Sequence, residues 1–236
     1  MKRLLIGLAI LGVVTMAKGQ QSKVFIEAGG SFGKTKSATA AYSVADMNMD
    51  QEYSAGTPKI NAQLGFGLSA HSFIGLAYDF SRSKSSQEYS LYMNNLVSLN
   101  QTELKSKTQS FGIFYRAYVK PFEKLGWNLF ADLTPRYQLT KKEYKSSNLT
   151  RPLDDLYTPG SGYVSASETK SETEIKALDV DLRVGGAYRF SNHFQVQLSL
   201  HNMVNVNHTF GDYKNTNFNV FQSPFNNAFL SAVYTF

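Results

Sequence analysis

The chain of 236 residues contains no cysteine. That excludes a disulfide framework and an N-terminal lipid anchor. Histidine is scarce, at four residues. His71, His193 and His208 fall in turns or at a strand end without metal-ligand spacing, so no metal site is predicted and no cofactor is expected. Apart from the first residues, no apolar run approaches the roughly 20 residues that carry a helix across a bilayer. An excess of one charge is also missing. The formal net charge of +6 falls to +3 once Lys2, Arg3 and Lys18 are set aside, and no basic patch is interleaved with aromatics. Nucleic acid is therefore not an expected partner.

What is present begins with a positive start, Met1-Lys2-Arg3, followed by an apolar run from Leu4 to Met16. Ala17 and Gly19 supply small residues ahead of Gln20. This pattern predicts a cleaved signal peptide over residues 1–19 and one exported domain over residues 20–236. Lack of an apolar helix leaves a membrane home open, because closed β-barrels also cross bilayers.

Eight segments alternate with the period of two that marks a strand with one apolar face. In the first, Val24, Ile26, Ala28, Gly30 and Phe32 oppose Glu27, Gly29 and Ser31. In the second, Ile60, Ala62, Leu64, Phe66 and Leu68 oppose Asn61, Gln63, Gly65 and Gly67. The third sets Ile74, Leu76, Tyr78 and Phe80 against Gly75, Ala77 and Asp79. The fourth sets Phe111, Ile113, Tyr115 and Ala117 against Ser110, Phe114, Arg116 and Tyr118. The fifth sets Leu129, Ala131, Leu133 and Tyr137 against Asp132, Thr134 and Arg136. The sixth sets Leu178, Val180, Leu182 and Val184 against Asp179, Asp181, Arg183 and Arg189. The seventh sets Val196, Leu198 and Leu200 against Gln195, Gln197, Ser199 and His201. The eighth closes the chain, with Ala228, Leu230, Ala232, Tyr234 and Phe236 on one face.

Each segment approximates the 9–11 residues of a tilted transmembrane strand. Their connections alternate in length. Residues 70–72, 121–126 and 191–193 read as tight turns, whereas 34–57, 82–107, 141–173 and 207–223 read as long polar loops. Such long loops are uncommon in compact soluble domains but usual on the outer side of a membrane barrel. The predicted fold is all-β: an eight-stranded antiparallel up-and-down transmembrane barrel with short periplasmic turns and long extracellular loops. A soluble lipocalin-like barrel, with its apolar face inward, is the rival architecture.

A final alternating strand that ends in Tyr234-Thr235-Phe236 resembles the C-terminal signature of bacterial outer-membrane β-barrels. With the eight segments, the chain from Gln20 to Phe236 is similar to the small OmpA/OmpX-type barrels, in the group described as outer-membrane β-barrel domain or porin-family proteins. The resemblance implies a bacterial outer-membrane location amid lipid and lipopolysaccharide. It also implies recognition of Leu230, Ala232, Tyr234 and Phe236 by the barrel-assembly machinery.

If the apolar face meets lipid, the polar face fills the lumen. Glu27, Asp79, Asp132, Asp179 and Asp181 then stand with Arg116, Arg136, Arg183 and Arg189. Buried charges must pair, so a packed network of ion pairs is expected. Trp127, Phe73, Phe190, Phe194 and Phe236 near the turns, with Tyr78, Phe80, Phe111 and Tyr137 at the opposite ends, are expected to form two aromatic girdles. Ser199 and His201 share a face, yet neighbours two apart on one strand stand about 7 Å apart, too far to bond directly. No catalytic residues are assigned. The leading expectation is a non-catalytic structural or surface-interaction barrel, with an extracellular protein or ligand met at the loops. Residues 89–99 alternate loosely, so the third and fourth strands are expected to project past the membrane. A narrow channel for ions or small solutes is the alternative, and a lipid acyl-transfer enzyme a distant third.

Overall fold

The computed structural model describes residues 23–44, 47–93, 96–152, 165–211, 214–221 and 228–236. The expected signal peptide over residues 1–19 lies outside the described residues. Strands β1 (Val24–Val44), β2 (Met47–Gly67), β3 (Ser72–Met93), β4 (Leu96–Tyr118), β5 (Gly126–Pro152), β6 (Ser165–Arg189) and β7 (Phe194–Thr209) run as an antiparallel meander. A short β8 (Asn215–Val220) and the C-terminal β9 (Ala228–Thr235) follow.

Strand β9 pairs on one side with β7 and on the other with β1, where Phe25–Gly30 meets Leu230–Thr235. The sheet thereby closes into a ring of eight strands, β1 to β7 and β9. At the height of these pairings no edge is left open, which is the condition for a sheet in contact with lipid.

The two faces separate as the alternation predicts. Outward residues Ile74, Tyr115, Leu133, Leu182 and Val204 stand in direct register across five consecutive strands. Leu129, Leu198 and Leu230 are 62%, 58% and 63% exposed. On β9, Phe229, Ser231, Val233 and Thr235 are buried while Leu230, Ala232, Tyr234 and Phe236 are exposed. A continuous apolar exterior of this kind marks a surface that another apolar phase covers. The soluble rival, with its apolar face inward, has the opposite polarity.

The strands are longer than the sequence pattern indicates. β5 has 27 residues and β6 has 25, where a tilted crossing needs about 9–11. Segments expected as loops are continuations of the strands. β1 and β2 stay paired up to Val44 and Met47, β3 and β4 up to Met93 and Leu96, and β5 and β6 up to Thr150 and Ser165. At about 3.3 Å per residue, a 27-residue strand extends roughly 90 Å. Polar cross-strand pairs line these tall hairpins, among them Lys84–Glu103 at 2.8 Å and Lys145–Glu168 at 3.0 Å. Each such exposed pair is worth under about 1 kcal/mol, so the backbone ladder carries most of the order.

The fourth expected loop, residues 207–223, holds β8, which the sequence pattern does not reveal. β8 pairs with the far end of β7, from Val204 opposite Val220 to Thr209 opposite Asn215. β7 also bulges, with His201, Asn202 and Met203 lying opposite the single residue Arg183. Two extra residues keep the alternation in phase, so Asn205 and Asn207 face inward as His201 does. Asn202 absorbs the kink with φ of 58°, a conformation asparagine tolerates better than most residues.

Candidate functional site

The barrel interior is stacked in layers. At the turn end lies an aromatic layer made of Phe25, Phe73, Phe114, Tyr118, Phe122 and Phe130. Phe73 was expected in the outer girdle, but it is 1% exposed and inside. It stands one residue out of phase with outward Ile74, so its side chain points to the lumen. Phe122 belongs to the β4–β5 turn and folds beneath the barrel mouth, where its ring lies 4.6 Å from that of Phe73. Inward glycines make room for the rings. A Cβ on Gly65 would run into Phe25, and one on Gly185 into Phe130. Each fully buried phenylalanine is worth about 1.5–3 kcal/mol relative to exposure, so this layer is a large share of the interior stabilisation.

Above it, Glu27, Arg116, Asp132 and Arg183 meet in one charged layer, all but excluded from solvent. Arg116 donates from Nε to Asp132 at 2.7 Å and from Nη2 to Glu27 at 2.7 Å. Arg183 donates from Nη1 to Glu27 at 3.0 Å and from Nε to Asp132 at 2.7 Å. Two carboxylates and two guanidiniums thus form a closed, neutral cycle. The guanidinium of Arg116 also lies 4.5 Å from the Phe130 ring centre, over the aromatic layer.

Sequence reasoning missed the neutral groups that complete this layer. Gln63 accepts from Arg116 at 2.8 Å and from Arg183 at 2.9 Å, and Tyr118 accepts from Arg116 at 3.2 Å. Gln197 accepts from Arg116 at 3.3 Å. Their inward phase was visible, but nothing in the sequence says which amide meets which charge.

The other charges form a second layer. Arg136 donates to Asp79 at 2.8 Å and to Asp179 at 2.6 Å, and Asp181 lies 3.4 Å from it. Asn61 donates to the free oxygen of Asp79 at 2.8 Å, and Asn205 to that of Asp179 at 2.7 Å. Arg189 is not part of either layer. It sits at the turn end, donating to the carbonyls of Phe122 at 3.0 Å and of Asn192. It therefore secures two turns and pairs with no carboxylate among the described residues.

Ser199 and His201 are not hydrogen-bonded to each other. Ser199 Oγ is buried without a hydrogen-bond partner among the described residues. His201 stacks on Phe229 at 4.0 Å, with Nε2 3.4 Å from Arg183 Nη1 and Nδ1 3.9 Å from Asp181. No cluster of three metal-ligating side chains occurs among the described residues.

Outside, Trp127, Tyr188, Phe190 and Phe194 form a chain of rings at 5.1, 4.8 and 6.0 Å around the turn end. Tyr234 and Phe236 add a contact at 5.1 Å. Toward the hairpins, Tyr78 and Phe111 meet at 4.9 Å.

Above the second charged layer a cavity of about 360 Å³ opens toward the hairpins. Its walls include Ser110, Gln138, Asn205 and Asn207, with Asn217 and Asn219 contributed by β8.

A closed eight-stranded ring, apolar outside and ion-paired within, has the architecture of an outer-membrane β-barrel. No family model and no curated protein matches the sequence. Among solved structures, it is similar to the N-terminal β-barrel domain of Pseudomonas aeruginosa OprF. Identity is 13%, coverage is 91% of this chain and 97% of that one, and the TM-score is 0.30. It is also similar to the translocator domain of autotransporter NalP from Neisseria meningitidis. There the identity is 9%, coverage is 100% of this chain and 96% of that one, and the TM-score is 0.23. The assignment of architecture rests on the ring and its two faces rather than on these likenesses.

Proposed function

We propose that this chain is an integral outer-membrane protein whose barrel is a sealed, non-catalytic mount for hairpins displayed at the cell surface. The exported chain loses residues 1–19, the tight turns face the periplasm and the tall hairpins face outward. One observation carries the reading: the layers inside the barrel leave it filled with paired charges and rings. The hairpins, up to 27 residues per strand, rise far beyond the apolar belt and offer polar surface to an extracellular protein or ligand.

The channel alternative requires a continuous water path, which the aromatic layer and the two charged layers oppose. In planar lipid bilayers the purified protein is expected to give no steady conductance above background. A large, stable single-channel current would replace the sealed-mount reading with transport.

Leu230, Ala232, Tyr234 and Phe236 form the outward face of β9, and we assign them the assembly signal. Phe236 also ties the strand to β1, its backbone N–H donating to Val24 at 2.9 Å. Deleting Phe236 is expected to lower the amount of folded protein in the outer membrane of cells, while refolding of purified protein in detergent changes little. Comparing the two by heat-dependent gel mobility separates recognition from stability. Normal insertion in cells would remove the terminal residue from the signal.

A further inference from the structure

Strand β8 is not needed to close the barrel, since β9 completes the ring. What it adds is a row of asparagines. Its sequence alternates Asn215, Asn217 and Asn219 with Thr216, Phe218 and Val220. Asn217 lies opposite Asn207 and Asn219 opposite Asn205. Asparagine is disfavoured in strands. Four asparagines, Asn205 and Asn207 of β7 and Asn217 and Asn219 of β8, line one cavity, so the cost recurs at its wall.

The cavity wall carries charges as well as amides: Lys59 lines it beside Asp79, Arg136 and Asp179. Its carboxylates are already engaged: both oxygens of Asp79 and both of Asp179 accept from Asn61, Asn205 or Arg136. The amides are not fully engaged. Asn202 enters the network through its backbone N–H to Asp181, at 2.8 Å, leaving its side chain to the cavity. Asn217 accepts from Asn215 at 3.1 Å and keeps its own N–H donors. The Asn202 amide offers a donor and an acceptor side by side, the pattern that a pair of adjacent hydroxyls answers, and Asn217 offers its N–H donors. The Phe229 ring, held by stacking on His201, supplies an apolar patch on the same wall. A volume of about 360 Å³ suits a small ligand rather than a polymer.

We propose that this asparagine-walled cup binds a neutral, hydroxyl-rich ligand, a saccharide unit of one or two rings. Amide groups hydrogen-bond its hydroxyls, and the edge of Phe229 borders the site. The second charged layer forms the floor, so the ligand enters and leaves from the hairpin side. This names a ligand class for the surface reading, and it is tested without the membrane so that either can fail alone.

The test uses the full chain folded in lauryldimethylamine oxide, a detergent without a sugar headgroup. Saturation-transfer NMR is run against glucose, galactose, N-acetylglucosamine, cellobiose and lactose at millimolar concentration, with acetate and choline as ionic controls. Transfer to the ring protons of at least one saccharide is expected, with none to the controls. The double variant Asn217→Val, Asn219→Val should weaken that binding at least tenfold while the ring, which does not include β8, stays folded by gel mobility. Asn202→Gly, which suits the positive φ and removes one amide, should weaken it as well. Transfer to no saccharide, preferential transfer to acetate or choline, or undiminished binding in folded variants would overturn the proposal.

Discussion

Arg116→Ala is expected to destabilise the folded barrel by about 3–5 kcal/mol, the usual cost of stranding a buried charge. Arg116 joins Glu27 and Asp132, and all three are completely buried. Removing it leaves two carboxylates facing Arg183 alone. It also deprives Gln63 of one of its two donors and Tyr118 of its ion contact. Urea titration of protein folded into lipid vesicles measures the loss, with gel mobility reporting the folded fraction. Adding Glu27→Gln to Arg116→Ala should recover part of it, because the stranded charge is neutralised. A loss under about 1 kcal/mol, with no recovery in the double variant, would mean that water already screens the layer.

Leu182→Arg is expected to cost about 2–4 kcal/mol in a bilayer, the depth-dependent cost of a lipid-facing arginine near the midplane. Leu182 stands between Leu133 and Val204 in the outward apolar row. Gln109→Arg supplies the comparison. Gln109 is in register with Phe80 and Leu139, near the hairpin end of the belt. A cation there is expected to cost about 0–1 kcal/mol. The same vesicle titration measures both. Equal costs at the two positions would contradict a membrane midplane near Leu182.

The transmembrane portions of seven strands and the C-terminal strand were legible because water and lipid impose opposite demands on alternate residues. Glu27, Arg116, Asp132 and Arg183 stood out against an apolar phase, and the structure brings them into one layer. The hairpin extensions were not legible. Both of their faces meet water, so Lys141, Glu143 and Lys145 alternate with Lys142 and Tyr144 in no hydrophobic period. β8 escaped for a related reason: six residues rich in asparagine read as part of a long polar loop, and pairing with β7 overrides that propensity.

Of the interior aromatics, Phe114 and Tyr118 were placed on the inward face, whereas Phe73 was misjudged through its position along the strand. Phe73 lies near a turn, as girdle residues do, yet its phase relative to Ile74 places it inside. Phe122 carried no signal at all, because a turn residue has no phase to read. Arg189 had the inward phase but sits too near the turn to reach either charged layer.

The absence of cysteine makes the most direct measurement simple, since each introduced cysteine is a unique labelling site. Single nitroxide labels from Ala177 to Tyr188 on β6, in protein folded into lipid vesicles, report collision with oxygen dissolved in the lipid. Accessibility is expected to oscillate with a period of two residues. Maxima belong at Leu178, Val180, Leu182 and Val184, and minima at Asp179, Asp181 and Arg183. Maxima at the odd-numbered positions, or a flat profile low throughout, would contradict a barrel that turns its apolar face to lipid and its ion pairs inward.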